Sequence, residues 1–276
     1  MAENESGTVM LPPAKTQEAF VHIGFAKARL TRGRAFVLAI LAGAFVALGA
    51  SFMLMVRSDA SLAPSISLIL GGLAFCLGLF LVLVAGAELF TGNCLMVIGA
   101  LDGRYPLVRM LRKWAVVYAG NAVGALLVVA LLLIAGFPQM QGGSVGELAC
   151  AVAASKAALS PMVAFARGIL CNVLVCLAVW MGSAGKTVCD KLAAAILPVV
   201  AFVVLGFEHS VANMFFLPLG LAIEAVFGGA TVALAGVASN LVFVTLGNIV
   251  GGVAVAAAYW FVYGCLLYTS DAADEL

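Results

Sequence analysis

Charge is what this sequence has least of. Only 10% of its 276 residues are Asp, Glu, Lys or Arg, and 64% are hydrophobic. A soluble domain carries roughly 25% charged and 45–50% apolar residues. So few charges cannot clothe so much apolar volume in water, so lipid is the solvent that this composition fits. Net charge is +1, so no overall field draws nucleic acid or an acidic partner. Walker loops, Rossmann fingerprints, HExxH and Ser-His-Asp arrangements are missing, and only two histidines exist, His22 and His209. No enzyme activity and no cofactor or metal is expected. The seven cysteines are Cys76, Cys94, Cys150, Cys171, Cys176, Cys189 and Cys265. Most lie in apolar runs without metal-ligand spacing and read as buried thiols. The first thirty residues are mixed and polar, without the apolar stretch of a signal peptide. Paired Asn-Pro-Ala motifs, expected of a water channel, are also missing.

What is present is a series of long apolar runs. A spanning helix needs about 20 such residues. Six stretches qualify, at about 35–56, 66–101, 114–135, 161–183, 192–219 and 238–264. The second is too long for one span and carries Glu88, Thr91, Gly92 and Asn93 inside it; the fifth carries Glu208, His209, Ser210 and Asn213. Eleven basic residues fall on one side of this arrangement: Lys15, Lys27, Arg29, Arg32 and Arg34, then Arg104, Arg109, Arg112 and Lys113, then Lys186 and Lys191. Arg57, Lys156 and Arg167 fall toward the other. The positive-inside rule then puts both termini in the cytoplasm, with the chain multi-pass in the inner (plasma) membrane.

The halves repeat. Ala35-Phe36 with Ile40-Leu41 matches Ala164-Phe165 with Ile169-Leu170, Glu88 matches Glu208, and Gly120-Asn121 with Gly124 matches Gly247-Asn248 with Gly251. Three matches in order, at similar offsets, outweigh any one. Three spans per half force the second half in from the opposite side. The expected fold is therefore all-α, with six transmembrane helices as two inverted three-helix repeats and broken second and fifth helices. In such folds the broken helices mark the binding site. Residues 1–34 read as an N-terminal segment whose amphipathic stretch, Ala19 to Leu30, could lie along the cytoplasmic interface. Residues 35–264 form the membrane domain, with repeats at about 35–135 and 161–264. The tail, 265–276, back-translates to a string resembling a common transposase adapter used in sequencing libraries. It reads as non-native read-through.

The ionisable residues inside spans carry the chemistry, because at membrane depth they are costly and mark pathways. Glu208-His209 is the most informative pair. Gly206 lets its helix open, and the freed backbone groups then need a cavity or protein partners. His209 can exchange a proton near neutral pH, whereas Glu208 is expected to brace it or nearby N–H groups. In the second span, Thr91 offers a hydroxyl, and the half-helix after it offers free N–H donors suited to an anion. Leu89 and Phe90 suit a hydrophobic constriction. Lys156 reads as a cation at an outer mouth or as a snorkelling lysine, and Arg167 as a snorkelling or bundle-pairing residue. Asn121, Asn172 and Asn248 read as interhelical hydrogen-bonding amides, with Asn172, Asn248 and Glu208 also expected along the substrate pathway beside His209, Thr91 and Lys156, and His22 reads as a surface residue.

Gly86-Ala-Glu-Leu-Phe-Thr-Gly-Asn93 and Gly206-Phe-Glu-His-Ser-Val-Ala-Asn-Met214 resemble the motifs of the formate/nitrite transporters. Cys171-Asn-Val-Leu-Val-Cys-Leu-Ala-Val-Trp-Met181 adds to the likeness, which spans about residues 20–264. The resemblance implies an aquaporin-like protomer, a homopentamer and one pore per protomer. It implies that Lys156 sits at the outer vestibule, that His209 is the central pore histidine with Thr91 as partner, and that Asn248 lines the pore. It assigns Phe75, Leu79 and Phe202, with Leu89 and Phe90, to constrictions. The formate branch often reads Asp-Leu-Phe-Thr-Ser, whereas Glu88-Leu-Phe-Thr-Gly92 is closer to the nitrite and hydrosulfide branches. The substrate expected is a small monovalent anion of a weak acid, formate first, with nitrite or hydrosulfide as alternatives and a neutral-solute channel as the rival class. Protons and the bilayer are the other partners. In this reading Lys156 draws the anion in, the apolar rings strip its water, and His209, hydrogen-bonded through Thr91 and Asn248, supplies a proton or stabilises charge.

Overall fold

The computed structural model describes residues 10–228 and 231–265. Residues 1–9 and the tail after Cys265 lie outside the described residues. Helix α1 runs Pro13–Arg29, α2 Arg32–Arg57 and α3 Pro64–Leu81, which continues into a π-helical turn at Val82–Gly86. After a break, a 3-10 turn at Gly92–Met96 leads into the short α4, Val97–Leu101. Then come α5 Leu107–Ile134, α6 Ser144–Ala157, α7 Pro161–Ala184, α8 Val188–Val204, α9 Ser210–Phe227 and α10 Leu234–Trp260. Six of these are long and apolar enough to cross a bilayer: α2, α3 with its π turn, α5, α7, α9 and α10.

Local chemistry sets the ends. Pro64 and Pro161 open α3 and α7 at the first helical position, where a missing N–H costs nothing. Thr187 and Asp190 form a capping box on α8, which satisfies two otherwise orphaned N–H groups. Gly86 and Gly206 have φ of +82° and +66°, and each closes the helix before a break, in a conformation that glycine alone adopts without strain.

The α-helices of the described residues fall into two equal sets. Segment α1–α5 has its twin in α6–α10, so that α1 corresponds to α6 and α2 to α7. Residues 144–157, expected as a loop before the fourth span, form α6 instead. At 14 residues α6 is too short to span, and its alanine-rich run has no strong periodicity. The stretch read as one fifth span at 192–219 is two helices, α8 and α9, divided at residues 205–209. The third span starts at Leu107 rather than near residue 114, because Arg109, Arg112 and Lys113 extend the helix past its apolar part. Helix α1 does not merely lie at an interface. Its buried Phe20, Val21, Gly24 and Ala28 dock on the first break, while His22 stays exposed, as expected.

Twin glycines let the helices cross closely. A Cβ added at Gly124 would overlap the carbonyl oxygen of Ile40, and one at Gly251 that of Ile169. In a bilayer such small-residue contacts drive helix association. We expect Gly124→Val and Gly251→Val each to lower stability by about 1–3 kcal/mol through overpacking. Thermal melts of the purified protein would register this. Gly33→Val, with nothing within 4 Å of the added Cβ, should melt as wild type.

Candidate functional site

The two breaks are built alike. At the first, Lys27 reaches down from α1 to Glu88 Oε1 at 2.7 Å and to Asn93 Oδ1 at 2.9 Å. Asn93 donates to Glu88 Oε2 at 2.7 Å. Asn121 on α5 accepts from the Phe90 N–H at 2.9 Å and donates to the carbonyls of Ala39 and Glu88 at 2.7 and 2.9 Å. At the second, Lys156 from α6 meets Glu208 Oε1 at 2.8 Å and Asn213 donates to Glu208 Oε2 at 2.6 Å. Asn248 on α10 accepts from the Ser210 N–H at 2.8 Å and donates to the carbonyls of Gly168 and Glu208 at 2.8 and 2.9 Å. At each break an amide from a neighbouring helix thus meets backbone groups that the broken helix frees, as lipid depth demands.

Three expectations change here. Lys156 is not a free cation; it is ion-paired with Glu208, their side chains 16% and 4% exposed. Glu208 therefore braces Lys156 and two amides, not His209. Asn248 does not extend the hydrogen bonding of His209. Its polar atoms are spent on backbone groups of α7, Glu208 and α9. Lys27 and Asn93, unassigned from sequence, prove to be the first-break twins of Lys156 and Asn213. Lys27 and Lys156 are separated by the same interval as Ala35 and Ala164, and Glu-x4-Asn occurs at both breaks, so the repeat itself held the signal.

His209 is the residue before α9 and caps it, Nδ1 accepting from the Ala212 N–H at 3.1 Å. A ring nitrogen that accepts carries no hydrogen, so in the neutral ring Nε2 does. Nε2 lies 3.0 Å from Thr91 Oγ1 and donates to it, leaving the Thr91 hydroxyl hydrogen to point elsewhere. The Thr91 carbonyl accepts from Asn172 Nδ2 at 3.3 Å, and Asn172 also donates to the Asn248 carbonyl at 2.6 Å. Asn172 therefore ties α7 to both halves of the site. The Phe202 ring stacks on the imidazole with centroids 6.1 Å apart, and Phe75 meets Phe202 edge-on at 5.7 Å.

Two cavities flank this layer. One, of about 360 Å³, opens on the face that carries α1 and is lined by Lys27, Leu38, Leu89 and Asn93 among others. The other, of about 350 Å³, opens on the α6 face and is lined by Lys156, Phe75, Phe202 and His209, with Arg57 and Arg167. His209 and Leu89 occupy equivalent positions, each directly after the glutamate of its break, so the imidazole stands where the first repeat has an alkyl chain. Thr91, Leu79 and Asn248 are buried and line neither cavity. Phe90, expected at a constriction, turns away instead and packs edge-on against Tyr118 and Trp114 at 4.9 and 6.1 Å. Its neighbour Leu89 takes the cavity side because the Asn121 bond fixes the backbone between them. Arg167, expected to snorkel or pair within the bundle, faces the α6 cavity.

The family described as formate/nitrite transporter matches residues 14–261. The chain belongs to that family. The formate channel FocA of Haemophilus influenzae is 37% identical over 268 residues, covering 91% of this chain and 94% of that one. A solved pentameric formate channel with formate bound is 37% identical, with a TM-score of 0.75, covering 84% of this chain and 97% of its own. The aquaglyceroporin of Plasmodium falciparum matches at a TM-score of 0.54 with 15% identity, over 86% of this chain and 98% of that one. That likeness is one of fold alone, and it bears out the aquaporin-like protomer. The family match takes in both broken helices and the α1 and α6 lysines that reach them.

Proposed function

We propose that the chain is a channel for small monovalent anions of weak acids, formate foremost, assembled as a homopentamer with one pore per protomer. The α1 face lies in the cytoplasm on this reading, consistent with eleven of the fourteen Lys and Arg residues on that side. The single observation carrying the pore role is the 3.0 Å contact of His209 with Thr91, in the buried layer between two polar-mouthed cavities. A bare anion in that layer is expensive. Desolvation favours the neutral acid, so formate takes up a proton from water as it leaves the α6 vestibule for that layer and crosses as formic acid. His209 and Thr91 then offer hydrogen bonds where water is lost. A second proton on His209 would break its cap on Ala212, so the resting ring is the Nε2–H tautomer. The pentamer rests on the solved relative named for that assembly.

Uptake of formate, nitrite and hydrosulfide into proteoliposomes at two pH values tests this. Formate flux should rise several-fold as external pH falls by one unit, since the protonated fraction rises about tenfold. His209→Phe should lose most of that pH-dependent uptake, because the buried layer then lacks the ring's hydrogen bonds; a variant that retains it in full would remove the histidine from the mechanism. Preference for nitrite or hydrosulfide over formate is the second reading, and Gly92 after Thr91 favours it. A variant-independent absence of anion flux would refute both.

A further inference from the structure

We propose that Arg57 and Arg167 form an anion-holding site in the α6 cavity, ahead of His209, shaped for two-oxygen anions such as formate or nitrite. The proposal rests on reading that cavity as an anion path. It starts from charge. Lys156 is neutralised by Glu208 at 2.8 Å, and the second oxygen of Glu208 is already taken by Asn213 and Asn240. That cluster sums to zero and gives a passing anion no net attraction. The lining that remains charged is Arg57 and Arg167. Among the described residues, no carboxylate lies within ion-pairing distance of either arginine. Arg57 Nε is buried and has no hydrogen-bond partner among the described residues. A buried donor left unmet is a rare and costly arrangement, and an acceptor brought by a ligand resolves it.

Position supports the same assignment. Arg57 ends α2, and its aliphatic stem lies against Gly71, where an added Cβ would meet Cγ and Cδ at 2.6 Å. This glycine makes room for the arginine to lie along α3. Arg167 Nη1 lies over the second break, 3.9 Å from where Gly206 would carry a Cβ. The Arg167 carbonyl accepts from the Glu208 N–H at 3.3 Å, so its backbone is tied to the residue before His209. Its counterpart in the first repeat is Leu38, whose carbonyl accepts from the Glu88 N–H at 3.2 Å in the same way. Leu38 lines the opposite cavity, where the cation among the lining residues is Lys27, itself paired with Glu88. The repeat supplies one compensated lysine per cavity. The two arginines are an addition on one face only.

Their chemistry narrows the ligand. A guanidinium presents a flat fork of donors that grips both oxygens of a carboxylate-like anion. Formate and nitrite each offer two oxygens on one central atom. Chloride and hydrosulfide offer a single acceptor atom and gain no fork. Two uncompensated positive charges at a low-dielectric mouth also raise the local anion concentration. The site therefore gathers anions and begins their dehydration before the Phe75–Phe202 layer.

The test uses the full-length protein in two measurements. In detergent, saturation-transfer NMR on the formate proton reports binding, with nitrite or chloride as competitor at equal ionic strength. In proteoliposomes, the concentration for half-maximal formate uptake is measured. Wild type should show transfer to formate that nitrite displaces more effectively than chloride. R57Q/R167Q should lose most of that transfer and raise half-saturation on the order of tenfold or more, one charge-assisted contact being worth about that much. R57K/R167K, which keeps charge but not the fork, should recover part of the uptake affinity without the nitrite-over-chloride preference. Unchanged transfer and unchanged half-saturation in R57Q/R167Q overturn the proposal. If that variant does not elute as wild type, the single variants R57Q and R167Q carry the same test. Wild-type protein that moves no formate would instead refute the channel reading, and the NMR arm would still decide the arginine site.

Discussion

Glu208→Ala should destabilise the protein by about 3–5 kcal/mol, the usual effect of leaving one member of a buried ion pair uncompensated. The side chains of Lys156 and Glu208 are 16% and 4% exposed. Removing the carboxylate strands the ammonium group and takes one of two acceptors from Asn213, which keeps Asn240 Oδ1 at 2.7 Å. Asn240 loses a longer bond of 3.4 Å but keeps the Lys156 carbonyl at 2.9 Å. Lys156→Met should be as harmful by the opposite route, since Glu208 then carries an unpaired charge. Combining K156M with E208Q should recover much of the loss, because the two sites touch and cannot act additively. The twin change, Glu88→Ala, should be milder. Lys27 is 25% exposed and can turn toward water. Thermal melts in one detergent would rank the four variants. Equal melting of E208A and wild type would show that the pair contributes nothing.

Asn248→Ala is the second large effect. One amide side chain satisfies the Ser210 N–H and the carbonyls of Gly168 and Glu208. A buried backbone group deprived of its partner costs about 1–3 kcal/mol. Typical interhelical side-chain bonds in bilayers contribute only about 0.6 kcal/mol. The larger figure applies here because Asn248 is fully buried and serves three backbone groups at once. We expect a loss on the order of 3 kcal/mol and, in the protein that still assembles, a severe loss of anion flux. His209 is held by the first turn of α9, and that turn loses its anchor. Asn248→Asp keeps an acceptor for Ser210 and loses both donations, so it should fall between. Asn121→Ala should destabilise to a similar degree but spare flux more, since it holds Phe90 rather than His209. Flux per folded protein, set beside melting temperature, separates the two asparagines; equal flux in N248A and N121A would contradict this account.

Much of the fold was legible because lipid imposes simple rules. A long apolar run marks a span, and an odd number of spans per repeat forces an inversion. Glu208-His209 stood out because ionisable groups at membrane depth are few. Helix α6 was not legible, since a short, alanine-rich helix packed on protein need be neither long nor periodic. Phe90 and Leu89 were indistinguishable in sequence, because both are apolar and adjacent. The bonds that hold the backbone on either side of Leu89, from the Glu88 N–H to Leu38 and from the Phe90 N–H to Asn121, decide which one faces the cavity. Asn248 and Asn172 bond between helices, yet their partners could not be read, because an amide serves backbone and side chains equally well.

By itself the sequence determined the solvent, the number of spans, the inverted repeat and the two polar breaks, all of which follow from hydropathy and spacing along one dimension. Tertiary structure alone decided which charges are compensated. Lys156 lies on α6 and Glu208 in the break before α9, with all of α7 and α8 between them in the chain, and no sequence spacing links them. Arg57 is left unpaired only because, among the described residues, no carboxylate approaches it. Electrostatic pairing depends on separations of a few ångströms through space, and those separations are set when the two halves close around His209.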